Sequence, residues 1–315
     1  MMKLKKFEEN PILLPRPYNP WESRAVFNPG VVKIGNKIYI VYRAIGKEDV
    51  SYLGLAITKD GFNIEERLDI PIETPKKHCE IDSEIHRHKG FEDPRLTIIG
   101  DKIFMLYTVV FDIGSRLSAR VGLTSIKIID FVGRKWNKWE DPKLISPPGT
   151  WDKDACLVER KIKGKYVFFH RILPNIWIDF VESLDFKKNP WLGGYNYINV
   201  RPNKWDDDRI GISGPPIYTK DGWLLIYHGR SSKDGFYRLG AMLLDKYNPT
   251  HIIGRLDYPI LEPEKWYERD GMNVVFSCGH VVLGKEIFLY YGASDKYVGV
   301  ATGNIDDILS ELIKK

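Results

Sequence analysis

The stretch Phe91-Glu92-Asp93-Pro94-Arg95 places two carboxylates and a guanidinium side by side, pinned by a proline, at the entrance to an apolar hairpin that turns at Gly100-Asp101-Lys102. Charged groups at the mouth of an apolar hairpin are costly to hold unless they have partners. The chain carries suitable partners at matching places. Seven residues before each of five hairpin turns stand Asn28, Asp93, Cys156, Ser213 and Ser277, and eight after stand Arg43, Thr108, Arg171, His228 and Gly292. All ten lie at the open ends of their hairpins, so equivalent hairpins would bring them to one face. They include one carboxylate, two arginines, a histidine and an asparagine. Common glycosidases need two carboxylates. Neighbouring strand residues point to opposite faces, so Glu92 is not expected to share the pocket with Asp93. Arginine forks match the oxygens of phosphate. A displacement in which phosphate replaces water needs one acid and no protein base, because phosphate arrives as its own anion. The residues therefore point to an inverting phosphorolysis.

The elements that must position this set form an internal repeat. Val31–Tyr42, Leu96–Tyr107, Val158–His170, Ile217–Tyr227 and Val281–Tyr291 each read as apolar strand, polar turn and aromatic-rich strand, with turns beginning at residues 35, 100, 163, 220 and 284. A third strand follows each hairpin, at residues 52–57, 120–124, 176–181, 239–244 and 297–301. A fourth, proline-flanked strand is expected at 70–73, 142–145 and 259–262, with Tyr195–Val200 as the counterpart in the third unit; proline restricts such strands to sheet edges. The fifth unit ends instead in a helical pattern over Ile305–Ile313. Its missing strand is expected at the other end of the chain, at Asn10–Pro15. This arithmetic predicts an all-β fold, a five-bladed β-propeller closed by the N-terminal strand, with a short C-terminal helix and residues 1–315 as one domain.

Composition excludes several function classes. The 315 residues are 43% hydrophobic and 28% charged, as in an ordinary globular chain. A net charge of +5 spread along the sequence does not make a nucleic-acid stripe. No apolar run approaches membrane-spanning length, and the N-terminus lacks the apolar core of a signal peptide. Cys79, Cys156 and Cys278 form no CxxC pair, which predicts free thiols and a cytoplasmic protein. His78, Cys79, Glu80, His86 and His88 have irregular spacing, so no metal site is expected there. Asp206-Asp207-Asp208 lacks the rest of a calcium loop and reads as a solvated run. Gly193-Gly194 reads as a turn. Trp151, Trp205 and Trp266 are expected to pack against the sheets rather than stack on sugar.

Several motifs together carry a family resemblance: Phe91–Arg95, His170-Arg171, Arg209–Ile217, Gly222–Gly229 and Tyr290–Asp295. They resemble the β-mannoside phosphorylases of glycoside hydrolase family 130, over Asn28 to about Ile308. The resemblance implies a five-bladed propeller and cleavage of a β-mannoside by phosphate to α-mannose 1-phosphate. It implies that Asp93 is the general acid, protonating the leaving oxygen through a sugar hydroxyl. Arg120 (or Arg116), Arg171, Arg209, His228 and Tyr237 match phosphate-binding positions, and Asn28, Arg43, Arg95 and Asp295 match positions around the mannosyl unit. The family usually has lysine where this chain has Arg209.

Rival readings are a hydrolase of the same fold, with Asp295, Asp179 or Glu92 as second carboxylate; a sugar-binding propeller without catalysis; and mannosyl transfer from a nucleotide sugar. The expected partners are an oligosaccharide and inorganic phosphate as co-substrate. No cofactor, nucleic acid or membrane is expected. Linkage, acceptor sugar, chain length and oligomeric state are left open.

Overall fold

In a computed structural model, residues 1–72, 87–112 and 117–314 are described, without the side chains of 87–89 and 112. The chain is all-β, with two short α-helices and three single turns of 3-10 helix among these residues. The N-terminal β1 (Lys5–Lys6) is followed by a first antiparallel group, β2 (Ala25–Ile34), β3 (Lys37–Ile45), β4 (Ser51–Thr58) and β5 (Ile64–Arg67). The second is β6 (Arg87–Ile99), β7 (Lys102–Asp112), β8 (Leu117–Lys127) and β9 (Lys143–Leu144). A single parallel pair, Ser51 with Gly90, joins these two groups into one eight-stranded sheet. The third is β10 (Asp152–Leu157), β11 (Tyr166–Ile172), β12 (Asn175–Val181) and β13 (Asn196–Ile198). The fourth holds β14 (Arg209–Ile212), β15 (Ile217–Tyr218), β16 (Trp223–Arg230), β17 (Tyr237–Leu244) and β18 (Ile252–Arg255). The fifth is β19 (Val275–Leu283), β20 (Glu286–Ala293) and β21 (Tyr297–Asn304), to which β1 adds the outer strand. Helix α1 (Ile128–Val132) follows β8, and α2 (Ile305–Ile313) follows β21. Neither is long and apolar enough to cross a membrane.

The first strands of the groups meet one another: β19 touches β2, β2 touches β6, β6 touches β10, and β10 touches β14. β16 and β17 touch β19 in turn. The apolar faces between neighbouring groups hold the main core clusters, such as Leu55, Met105 and Phe111 between the first and second groups. Four groups repeat one packing device. A tyrosine on the second strand stands opposite a glycine on the third: Tyr42 and Gly54, Tyr107 and Gly122, Tyr227 and Gly240, Tyr291 and Gly299. A Cβ on Gly54 would come within 2.2 Å of the Tyr42 ring, so only glycine admits it.

Three of these tyrosines donate at 2.8 Å to fully buried carboxylates, Glu22, Asp206 and Glu268. Each carboxylate also meets a cation: Arg67, Arg255 and Lys6 respectively. Asp206 is thus no part of a solvated run. It ties Arg201, Arg255 and Tyr227 together inside the fourth group. Asp207 caps Ser232, and Asp208 pairs with Arg209 and Arg230.

The outer edges differ from expectation. The strand expected at Asn10–Pro15 is at Lys5–Lys6, paired with Thr302 and Ala301, and Leu13 adds only a lone bridge to Val298. Pro11 and Pro15 lack N–H groups and cannot continue a ladder. The Asn10 side chain substitutes, exchanging bonds of 2.8 and 2.9 Å with the Val300 carbonyl and N–H. Of the proline-flanked stretches, the described residues 70–72 and 259–262 likewise form no strand, and residue 73 lies outside the described residues. β5 and β18 take the edge first, and Ile72 and Ile260 each add a backbone bond to the half of the third strand left uncovered. The expected strands at 142–145 and 195–200 are present as the shorter β9 and β13, and α2 has the predicted bounds. Trp205 packs on Tyr227 as expected and Trp266 lies edge-on against Tyr267 and Tyr297, although Trp266 and Trp151 remain 64% and 38% exposed.

Candidate active site

Three first strands carry the same irregularity. The register slips between Phe27 and Gly30 in β2, between Glu92 and Arg95 in β6, and between Lys153 and Cys156 in β10. In each slip one residue takes a left-handed backbone: Asn28 (φ 48°), Asp93 (φ 53°) and Asp154 (φ 54°). Asn and Asp tolerate this conformation better than other side chains. A bulge re-aims the side chain of the extra residue. The third member is Asp154, not Cys156, which is buried in the apolar core between the third and fourth groups. Counting back from the turn fails there because Leu157 and Tyr166 are separated by an irregular connection, whereas Ile34 and Lys37 are joined by a tight turn. The signal was present in the sequence: Asn28-Pro29, Asp93-Pro94 and Asp154-Ala155 share an Asx residue before a short or ring-locked one.

One half of the site gathers on Asp93. Its Oδ1 accepts from Asn28 Nδ2 at 2.9 Å and faces Arg43 Nη1 at 3.4 Å. Arg43 Nη2 lies 2.7 Å from Glu92 Oε1, and Glu92 Oε2 lies 3.0 Å from Lys153 Nζ. Glu92 and Asp93 therefore reach the same guanidinium, contrary to strand alternation, because the left-handed turn at Asp93 breaks the period of two. Asp295 follows β20, also with a positive φ of 51°. Burial first, and then the charge of Asp93, push its carboxyl up to about 6, against the pull of Arg43.

The other half gathers on the buried Asp154. Its carboxylate lies 2.9 Å from Arg171 Nη1, 3.2 Å from His228 Nε2 and 3.3 Å from Arg95 Nη2. Burial alone would raise its proton affinity, but Arg171, Arg95 and His228 together hold it far below the usual carboxylate range. Burial pushes His228 down to about 4 despite Asp154, so the imidazole is neutral at pH 7. Its ring packs 4.2 Å from that of Phe276. Gly211 permits the approach of His228 to Asp154: a Cβ there would lie 2.3 Å from His228 Nε2 and 2.6 Å from Asp154 Oδ2. Among the described residues, Arg171 Nε and His228 Nδ1 are buried without a hydrogen-bond partner. Such groups are costly unless a ligand satisfies them. Tyr237 stands 6.0 Å from the His228 ring and near Arg209, whose Nε donates to Asp208 at 2.8 Å.

Arg95 links the halves from within. Only 1% exposed, it donates to the carbonyls of Asp93, Ile212 and Ser213 as well as pairing with Asp154. Every guanidinium nitrogen is committed to the protein, so Arg95 is a brace rather than the mannosyl contact expected from the resemblance. Arg120, on β8, donates to Ser146 O at 2.9 Å and lies 5.0 Å over the Trp191 ring. Arg116, His78, Cys79, Glu80 and His86 lie outside the described residues, as does the side chain of His88. Gly193 and Gly194 do present their N–H groups to an anion, but it is the protein's own Asp179.

Asp179 also accepts from His170 Nε2 at 2.7 Å, while His170 Nδ1 meets Asp152 at 2.9 Å. Burial opposes the charge on His170, but the two carboxylates raise its pKa from 6.5 to about 9. A raised histidine pKa stabilises the fold fully below the unfolded value and loses that contribution as pH rises through the folded one. Stability should therefore fall by about 2–3 kcal/mol between pH 6.5 and 9.5. Urea unfolding across that range checks this, and His170→Gln should flatten the profile.

A buried acid held by Asn28 and Arg43, beside a cationic cluster in which a guanidinium N–H is left unsatisfied, is the arrangement of a carbohydrate-active enzyme. Residues 3–314 match a family model described as beta-1,4-mannooligosaccharide phosphorylase. The chain belongs to this family, glycoside hydrolase family 130, and is an enzyme of the glycoside phosphorylase class. It is 40% identical to the 1,2-beta-oligomannan phosphorylase of Thermoanaerobacter sp. (strain X514), over 98% of this chain and 99% of that one. A beta-1,2-mannobiose phosphorylase of the same organism is 37% identical, over 96% and 97% of the two chains. In fold, the chain resembles the solved beta-1,2-mannobiose phosphorylase of Listeria innocua in complex with beta-1,2-mannobiose, with a TM-score of 0.82 at 24% identity and 99% of each chain covered.

Proposed function

We propose that this enzyme cleaves a β-1,2-linked mannoside with inorganic phosphate, with inversion, releasing α-mannose 1-phosphate. In this reading the five antiparallel groups are the blades of one five-bladed propeller, a single catalytic unit whose first strands surround the site. Asn28, Arg43 and Asp295 hold the mannosyl unit. Asp93 gives a proton to the leaving oxygen by way of a sugar hydroxyl. Arg171, Arg209, His228, Tyr237 and Arg120 position phosphate on the opposite face of the sugar. The glycosidic C1–O bond breaks as a phosphate oxygen bonds to C1. The proton donated to the departing alcohol is made good by the one phosphate loses, so no base is consumed. Positioning and charge stabilisation carry the rate.

The observation that carries this reading is the state of the carboxylates. Hydrolysis by the same route needs a free base to activate water. Asp154 is bound by three cationic or imidazole groups, Asp179 by His170, and Glu92 by Arg43 and Lys153, while Asp295, pushed up to about 6 by burial and by Asp93, is in this reading a sugar contact whose rival role as the base is what phosphate dependence tests. The β-1,2 linkage is favoured by the two relatives at 40% and 37% identity, against the β-1,4 linkage in the family model's description. The test is turnover of β-1,2- and β-1,4-mannobiose with and without phosphate, with the product anomer read by proton NMR. Phosphate dependence of about 100-fold or more and an α-configured product are expected. Equal mannose release in phosphate-free buffer would establish the hydrolase instead.

A further inference from the structure

Two exposed indoles stand at the junction of the second and third strand groups, Trp151 at 38% and Trp191 at 39% exposure. Each has a cation over its ring, and both cations lead back to the site. Lys153 Nζ is 5.2 Å from the Trp151 ring and 3.0 Å from Glu92, the neighbour of Asp93. The Arg120 guanidinium is 5.0 Å from the Trp191 ring. The two indoles share one support. The backbone of Trp151 bridges to Ala119, adjacent to Arg120, while Arg120 donates to Ser146 O. Beside Trp191, Leu192 N–H donates to Ile145 O at 2.7 Å, and Asp179 holds the N–H groups of Gly193 and Gly194. The rings are therefore presented by braced backbone. Lys153 is paired with Glu92, so the face that Trp151 offers suits a neutral ligand better than an anion.

We propose that Trp151 and Trp191 form a stacking rail for sugar units of the substrate beyond those held at Asp93. A β-mannosyl ring carries axial hydrogens on one face, an apolar surface that stacks on an indole while its hydroxyls stay in water. An oligosaccharide is the occupant because the rail is continuous with the Asp93 site through Lys153 and Glu92 and with the proposed phosphate group through Arg120. The proposal rests on the mannoside reading above and deepens it, making these residues determinants of chain-length preference.

The test compares Trp151→Ala, Trp191→Ala and the two Trp→Phe variants on β-1,2-mannobiose and the tetrasaccharide. The readout is the ratio of kcat/KM for the long substrate to that for the short one, in which any shared effect on phosphate binding through Arg120 cancels. Each alanine variant should lower this ratio about tenfold, and phenylalanine should largely keep it. Tetrasaccharide binding without phosphate, followed by isothermal titration, should weaken about tenfold in the alanine variants while binding of the disaccharide changes less. An unchanged ratio overturns the rail even if phosphorolysis is confirmed. Length-dependent binding lost in the alanine variants, in a protein with no phosphate-dependent turnover, upholds the rail and overturns the phosphorolysis.

Discussion

Asp93→Asn should lower kcat on a natural mannoside by about 10³-fold with little change in stability. Asparagine tolerates the left-handed backbone at this position. Its carbonyl oxygen can still accept from Asn28 Nδ2, which lies 2.9 Å from the carboxylate oxygen it replaces. Arg43 keeps Glu92 as its partner at 2.7 Å, so no buried guanidinium is stranded. What the amide cannot do is release a proton to the departing oxygen. Loss should therefore appear in kcat rather than in the KM for sugar. It should shrink with a leaving group acidic enough to depart unprotonated, such as a nitrophenol. Steady-state kinetics on both substrate types, with melting curves as a control for folding, measure this. A variant within tenfold of the parent on the natural substrate would remove Asp93 from the role of acid. The same holds if the loss is equal for both leaving groups.

Asp154→Asn should be the most damaging single-atom-type change for folding. The wild-type carboxylate sits among Arg95, Arg171 and His228, with Arg95 and Asp154 each 1% exposed and Arg171 9%. Neutralising it leaves two crowded guanidiniums buried without a counter-charge. Removing one partner of a buried charge group costs about 3–5 kcal/mol. A fall in melting temperature of roughly 5–8 °C follows for a chain of this size. The cost should extend to chemistry, because Asp154 sets the direction of the Arg171 fork and the tautomer of His228. An increase of about tenfold or more in the KM for phosphate is expected, with a smaller change in the KM for the mannoside. Calorimetry and phosphate titrations at saturating sugar measure the two parts. A melting temperature within about 2 °C of the parent, together with an unchanged phosphate KM, would show that Asp154 organises neither.

The pairing of Asn28, Arg43 and Asp93 was readable from the chain because their hairpins turn through short Gly-containing links, so an offset counted from the turn is an offset in space. The same holds for the strands themselves, whose apolar alternation and turn residues are settled within a few positions. It holds too for α2, whose Asn304 side chain caps the N–H of Asp306. Family motifs added Arg209 and Tyr237, which the structure brings near each other beside His228. Asp154 is not visible from the turn count because a longer, irregular connection precedes Tyr166, and Glu92 joins the site against strand alternation because the bulge at Asp93 suspends the period of two.

Local patterning, then, determined where the inner strands, their tight turns and the C-terminal helix begin, and which residues stand at the mouths of the tightly turned hairpins. Tertiary structure alone decided which charged groups are free for chemistry. Arg95 reads like a ligand-binding arginine in its motif but is used up by Ile212, Ser213 and Asp154, all far away in the chain. Asp206 reads like solvated surface but is buried by Arg201, Arg255 and Tyr227. The physical reason is that a strand is selected by interactions among near neighbours, whereas the fate of a charge is set by the partners that distant segments bring to it, and those partners are fixed only when the sheets pack.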